Sequence, residues 1–537
     1  ATEREERKDN VRVFTGFPIR NWDRWLDDRQ QRLFVVPAAG GDATDLLAAS
    51  DLVRQPGFGG RFTDTGEEID AVWTPDGAAI VFSATANRHR AAFADTHADL
   101  YRVPASGGEA VRLTGSGSLE AQDSYGRPTF TADGRTLVAQ HTPHTDRVYD
   151  STRLATFAWP AMTAGSPVTL PKDLSVSSFG VDADGRTLWM TAEDAGHEKL
   201  FTARIGASVG RLAFDMDRGV YTNLQVADAA RGVLVANFDS AVQPPEVVRI
   251  TPTGRGGHRV LTTFNTAKAA ELDLAPVEPL WFDSPRGAPV HSFLVKPADF
   301  DPTQQYPLFV LIHGGPHTMW RDTFFFRWNY HLIAGTDRVV LLTNYEGSTG
   351  FGAAFAQAIQ GDPFIGPADD LNRAADVAIE RFAFIDGARQ CAGGASYGGH
   401  LANWLQGTTT RYRCLVSHAG LINTESQWGT SDIVYPREQS AGRPVWDRAG
   451  VWVTQNPMLN APNFRTPVLV TIGERDYRVP LNNTLEYWAY LQRLEVESRL
   501  LVFPDENHWI QKGENSRTLY REVEEWLDRW EATPPAR

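Results

Sequence analysis

Hydrophobic and polar positions change rhythm once along this chain, near residue 272. Before that point, WTPDGAAIVFSA (73–84), FTADGRTLVAQH (130–141) and VDADGRTLWMTA (181–192) each set an Asp-Gly pair ahead of an alternating or apolar run. Such a pair before a strand pattern predicts a tight hairpin. A second phrase follows at a similar offset, in LFVVPAAGG (33–41), LYRVPASGG (100–108), TFAWPAMTAG (156–165), LFTARIGASVG (200–210) and VVRITPTGRGG (247–257). The two phrases recur together at about fifty residues, and two hairpins per period supply the four antiparallel strands of a propeller blade. Residues 1–272 are therefore expected to form a β-propeller domain with about five blades visible. The first phrase, at 33, has no Asp-Gly partner before it, which leaves either a small propeller or part of a larger one. A β-sandwich with irregular repeats is the alternative.

After residue 272 short apolar runs alternate with helical periodicity. The runs are YPLFVLIHGG (306–315), RVVLLTNYEG (338–347), RQCAGGAS (389–396), RCLVSHAG (413–420), TPVLVTIGE (466–474) and SRLLVFPDE (498–506). Continuous Val, Leu and Ile marks strands covered on both faces. Between them ADDLNRAADVAIERF (368–382), LNNTLEYWAYLQRL (481–494) and SRTLYREVEEWLDRW (516–530) carry amphipathic helical patterns. Alternating strand and helix predicts a mostly parallel sheet with helices on both faces, here over residues 273–537.

Composition narrows the function classes. With 42% hydrophobic and 22% charged residues in 537, the chain has the balance of a globular protein and enough length for two large domains. A net charge of −14 without a long acidic run disfavours nucleic acid as a partner. No apolar run reaches the roughly 18 residues of a membrane span, and the opening ATEREERKDN lacks a signal peptide's apolar segment. A soluble protein is expected, cytoplasmic or periplasmic. Its two cysteines, Cys391 and Cys414, stand in apolar contexts without metal-type partners, so buried free thiols are expected and a metal site is not.

The candidate chemistry begins at CAGGASYGGH (391–400), where Gly394-Ala395-Ser396-Tyr397-Gly398 fits G-x-S-x-G. In so glycine-rich a chain the motif alone says little. Here an apolar strand precedes it and HLANWLQG (400–407) continues as a helix, the strand-turn-helix context that lifts a serine hydroxyl above a sheet. Serine needs a base to take its proton and a carboxylate to orient that base, in the chain order serine, acid, histidine. Asp476 in GERDYRVP and His508 in FPDENHWI follow the last two strands in that order, at the sheet edge where ligands gather in α/β folds. His418 precedes Asp476, and Asp505 and Glu506 stand too near His508, so these three fit less well. The oxyanion needs prepared donors; the backbone N–H groups of Tyr397 and of Gly315 in HGGPH (313–317) are placed to supply them.

HGGPH, NYEGSTGFG (344–352), GASYGGH, GERDYRVP and FPDENHWI, in this order and spacing, resemble the prolyl oligopeptidase family (S9) of serine peptidases. The HGGP form and the GERDYRVP and FPDENHW pair look closest to its acylaminoacyl peptidase and bacterial dipeptidyl-peptidase 5 branch. The resemblance is specific over 273–537 and weaker before it. It implies a β-propeller joined to an α/β-hydrolase domain, with Ser396, Asp476 and His508 as triad and Gly315 and Tyr397 as oxyanion donors. It also implies that Arg478 binds a substrate carbonyl or carboxylate, against the reading of a structural salt bridge. Two departures are Glu346, where the family usually carries Arg, and His400. No cofactor or metal is implied; the expected substrates are short peptides, and a homo-oligomer is admitted. Dipeptidyl-peptidase or acylaminoacyl-peptidase action leads, with carboxypeptidase, endo-oligopeptidase and esterase action as alternatives. A dipeptidyl peptidase must hold a free amino group, for which Glu67 and Glu68 are candidates.

Overall fold

The computed structural model describes residues 10–532 except 28, 64–65, 116–121, 229–232 and 253–255. In the first half, antiparallel strands from neighbouring segments form four-stranded groups over residues 71–112, 124–164, 176–212 and 220–260, the last two linked by one parallel bridge between Glu198 and Val220. Asp-Gly turns build them as the pattern predicts. In the first, Thr74 Oγ1 donates to Asp76 Oδ1, the same carboxylate oxygen receives Ala78 N–H, and Gly77 takes the positive φ of 67°. The second repeats this with Thr131, Asp133 and Gly134 at φ 68°. The phrase at 33 differs: among the described residues it forms only a two-stranded pairing, Phe34–Val35 with Thr44–Asp45. Its following Leu46 and Leu47 are fully buried in a cluster with Phe58, Ile80 and Phe82 of the first group.

The second half is one eight-stranded sheet. Its strands are β1 (Glu278–Asp283), β2 (Pro289–Val295), β3 (Tyr306–Ile312), β4 (Val339–Asn344), β5 (Ile385–Ala395), β6 (Cys414–His418), β7 (Val468–Gly473) and β8 (Ser498–Phe503). Their order is β1-β2-β4-β3-β5-β6-β7-β8, antiparallel through β1, β2 and β4 and parallel from there. The six strands predicted from apolar runs are β3 to β8. The two antiparallel ones, β1 and β2, carry less continuous apolar runs and escape that reading. Helices α1 (Ile365–Arg381), α2 (Tyr397–Thr408), α3 (Tyr435–Ala441), α4 (Leu481–Arg493) and α5 (Gly513–Ala532) include the three amphipathic segments. Separate apolar clusters cover the two faces, one containing Leu308, Val310, Leu371 and Leu401, the other Phe309, Leu311, Val416 and Leu527.

The cysteines correct one expectation. They are buried as predicted, yet Cys391 and Cys414 are joined in a disulfide, because the register of β5 against β6 sets them directly opposite with Cα atoms 4.9 Å apart. Strand register across a parallel pair is not written in either strand's own sequence.

Candidate active site

Ser396 sits where β5 ends and α2 begins, with φ 58° and ψ −122°. A side-chain-bearing residue is costly there, so tertiary packing must hold it. Two links do so: Ser396 N–H donates to the His418 carbonyl at 2.9 Å, and His400 N–H closes the first turn of α2 on the Ser396 carbonyl at 2.8 Å. Flanking glycines are required by space. A Cβ on Gly394 or Gly398 would lie 2.1 or 2.2 Å from the Ile312 carbonyl oxygen at the end of β3.

The loops after β7 and β8 carry the acid and the imidazole. His508 Nδ1–H donates to Asp476 Oδ2 at 2.6 Å, and Asp476 Oδ1 receives the backbone N–H groups of Arg478 and Val479, both at 2.9 Å. The Asp476 side chain has no exposed surface and that of His508 retains 5%. Three donors on a buried carboxylate satisfy its oxygens and hold it aimed. The parallel register of β5, β6, β7 and β8 thus brings the C-terminal edge positions of Ser396, Asp476 and His508 to one rim of the sheet.

The competing residues have other work. His418 Nε2–H donates to the His508 carbonyl at 3.1 Å, and its Nδ1 accepts the Thr471 hydroxyl at 2.7 Å. Burial pushes its pKa down to about 4, so it stays neutral and acts as a brace beneath the histidine loop. Glu506 accepts the Lys512 N–H at 2.9 Å and the Asn515 amide at 2.8 Å, closing the same loop. Asp505 pairs with Lys512. Glu67 and Glu68 are engaged by Arg88 and Arg61, at 2.9 and 2.8 Å.

On the opposite side of the serine lies the HGGP turn. Gly315 has φ 114°, and a Cβ on Gly314 would meet the Ser396 Cβ at 3.2 Å and the Ala395 carbonyl at 3.0 Å. The Tyr345 hydroxyl donates to the His313 carbonyl at 2.8 Å, and Thr318 Oγ1 donates to the Gly314 carbonyl at 2.7 Å, which fixes the turn. Among the described residues neither Tyr397 N–H nor Gly315 N–H donates to a backbone carbonyl. Tyr397 opens α2, where the helix leaves its first donors free.

Arg478 is tied down more than a free anchor would be. Its Nε and Nη2 donate to Asp432 at 2.8 and 3.3 Å, and its guanidinium lies 4.8 Å from the Trp22 ring centre. Glu346 lies buried, receiving the Ser284 hydroxyl at 3.2 Å beside Asp370, whose carboxyl burial pushes up to about 6. His400 is buried within α2, and its Nδ1 accepts the Leu421 N–H at 3.0 Å.

Sequence reasoning missed Trp22. This residue of the N-terminal half sits 5.1 Å from the His508 ring and 4.8 Å from Trp509, edge-on to both. Its N–H donates to Asp432 Oδ2 at 2.7 Å and its carbonyl receives the Tyr477 N–H at 2.9 Å. Nearby Asn507 donates to Asp23 Oδ2 at 2.9 Å. The segment around Trp22 therefore straps both loops that carry Asp476 and His508. A lone aromatic more than 450 residues before its partner gives no local signal. Among the described residues, no group of histidine, cysteine or acidic side chains is arranged to hold a metal. No described helix is long and apolar enough to cross a membrane.

An α/β-hydrolase sheet joined to a β-propeller, with a serine elbow and an Asp-His pair on one rim, defines a class of serine hydrolases. Residues 324–533 match the model of the prolyl oligopeptidase family. The chain is 29% identical to a probable dipeptidyl-peptidase 5 of Aspergillus flavus and 26% identical to the dipeptidyl-peptidase 5 of Porphyromonas gingivalis; each alignment covers 97% of this chain and 74% of the relative. The Pyrococcus horikoshii acylaminoacyl peptidase shares the fold, with a TM-score of 0.70 at 18% identity over 88% of this chain and 72% of that one. Residues 324–533 thus carry the prolyl oligopeptidase family's domain of serine-type peptidases, and over nearly the whole chain the likeness is to dipeptidyl-peptidase 5 proteins.

Proposed function

We propose that this protein hydrolyses short peptides through an acyl-enzyme on Ser396, releasing dipeptides or acylated residues from the N-terminal end. The observation that carries the reading is the 2.6 Å hydrogen bond from His508 Nδ1 to buried Asp476, on the rim that also bears the strained Ser396. With Nδ1–H committed to the carboxylate, Nε2 is the basic nitrogen. It takes the Ser396 hydroxyl proton as Oγ bonds to the scissile carbonyl carbon. The carbonyl oxygen, now negative, is held by the N–H groups of Tyr397 and Gly315. Collapse expels the amine, which takes the proton from His508. Water then attacks the ester by the same route, freeing the acid and Ser396.

Arg478, held on Asp432, keeps Nη1 for a main-chain carbonyl of the peptide. The division of labour runs near residue 272, with the propeller half limiting access and the sheet half doing chemistry. Its loops reach the sheet half: Gln357 and Gln360 donate to the carbonyls of Tyr149 and Asp146 at 2.8 and 2.9 Å, and Gln439 donates to Asp95 at 3.2 Å.

Three chromogenic substrates test the reading: a free dipeptidyl amide, its N-acetylated counterpart and a longer peptide with a free C-terminus. Cleavage of either N-terminal type, with loss of turnover in Ser396→Ala, is expected. Release of single C-terminal residues as the dominant product would overturn it.

A further inference from the structure

Beside the oxyanion donors lies a cavity of about 220 Å³, bordered by Gly315, Tyr397, His400, Phe364, Trp452 and Arg437. Its place relative to the serine fixes what enters it. The leaving amine must stand by His508 to receive a proton, while the oxygen points to Tyr397 and Gly315. The residue on the acyl side is then directed away from His508, into the space that the oxyanion donors border.

That cavity has an unusual charge pattern. Among the described residues no aspartate or glutamate lines it, and its histidines are held neutral, His317 pushed down to about 4 and His400 well below its ordinary value, both by burial. Arg437 is the exception. Its side chain has no hydrogen-bond or ion-pair partner among the described residues, and its Nε is buried without an acceptor. The charged side chains that act on it, Arg478 and Asp432, already pair with each other, and burial brings Arg437 down to about 10, so it remains a cation at neutral pH. Two further donors on the wall also lack acceptors: the side-chain amide Nε2 of Gln427, a residue only 2% exposed, and the Thr424 hydroxyl. Buried donors without acceptors are costly, and a ligand that supplies the missing acceptor recovers that cost. A planar guanidinium with an adjacent amide matches a carboxylate.

We propose that this cavity selects a carboxylate side chain, so that the protein prefers substrates with glutamate or aspartate on the acyl side of the cleaved bond. The proposal rests on the reading of Ser396 as nucleophile. Arg437 touches the substrate side chain, whereas Arg478 serves the main chain of every substrate.

The test compares dipeptidyl p-nitroanilides with Glu or its isostere Gln before the cleaved bond. Wild-type kcat/KM is expected to favour Glu by at least fifty-fold, Arg437→Met to bring the ratio to near one, and Arg437→Lys to keep part of it. A wild-type ratio below about threefold, or one unchanged in Arg437→Met, overturns the proposal. The second outcome makes Arg437 a main-chain or structural residue. A binding measurement separates this from failure of the catalytic reading. In Ser396→Ala, acetylglutamate should bind at least tenfold tighter than acetylglutamine by calorimetry, and Arg437→Met should abolish the difference. Equal binding of the two overturns the cavity's role, whereas the preference without any wild-type turnover overturns only the triad.

Discussion

The two halves of this molecule solve the same problem, burying a sheet, by opposite routes. In the N-terminal half each four-stranded group is made by segments adjacent in sequence, joined by hairpins such as Thr74 to Ala79. In the C-terminal half, β3 lies between β4 and β5, and Ser396, Asp476 and His508 share one rim only because four parallel strands align. Local pairing repeats a shape; crossover pairing gathers distant residues at one edge. The candidate catalytic residues accordingly gather in the half with non-local connections, while the N-terminal half supplies loops and the strap at Trp22.

If that division is right, substitutions in the two halves separate in kind. Asp476→Asn should lower kcat by about 10⁴-fold with the fold intact, because the amide presents the wrong partner to His508 Nδ1. Pre-steady-state acylation rates check this, and a loss under tenfold would remove Asp476 from the triad.

Next comes acid sensitivity beneath the site. His418 titrates near 4 in the folded chain against 6.5 when free, so the folded state binds fewer protons. The stability it supports is present above pH 6.5 and lost as pH falls through 4, about 3 kcal/mol in all. Urea unfolding across that range should show a shallower decline in His418→Gln; an identical slope would refute the brace.

Trp22→Ala should cost roughly tenfold in kcat/KM, about 1.4 kcal/mol, with Trp22→Phe retaining most activity through its edge contact with His508. Unchanged kinetics in the alanine variant would show that the N-terminal half only shields the site. Smallest in its effect on activity is Gly134→Ala, where φ is 68° and the new Cβ would meet the Pro75 Cβ at 2.6 Å. It should lower stability by about 1–2 kcal/mol while leaving kcat/KM of the folded enzyme unaltered, as thermal unfolding and assays would show.

What could be read from the sequence follows the same contrast. Asp-Gly hairpins and the apolar runs of β3 to β8 carry their structure locally, and the elbow, acid and histidine each follow a recognisable strand. The Cys391–Cys414 bond, the pairing of Arg478 with Asp432 and the seat of Trp22 on His508 depend on register or on docking between distant segments. None of these leaves a pattern within a dozen residues. Arg437 was missed for a related reason: α3 is a short helix whose sequence, YPREQSA, reads as an ordinary polar surface, and only the fold turns its arginine toward a cavity without acids.

The central claim is that Ser396 is the nucleophile made reactive by His508 and Asp476. Labelling with a fluorophosphonate, followed by mass mapping of the adduct, tests it most directly. The expected result is a single phosphonylated site at Ser396, with labelling slowed at least a hundredfold in His508→Ala. An unlabelled Ser396 in folded protein, or equal labelling rates in the two proteins, would contradict it.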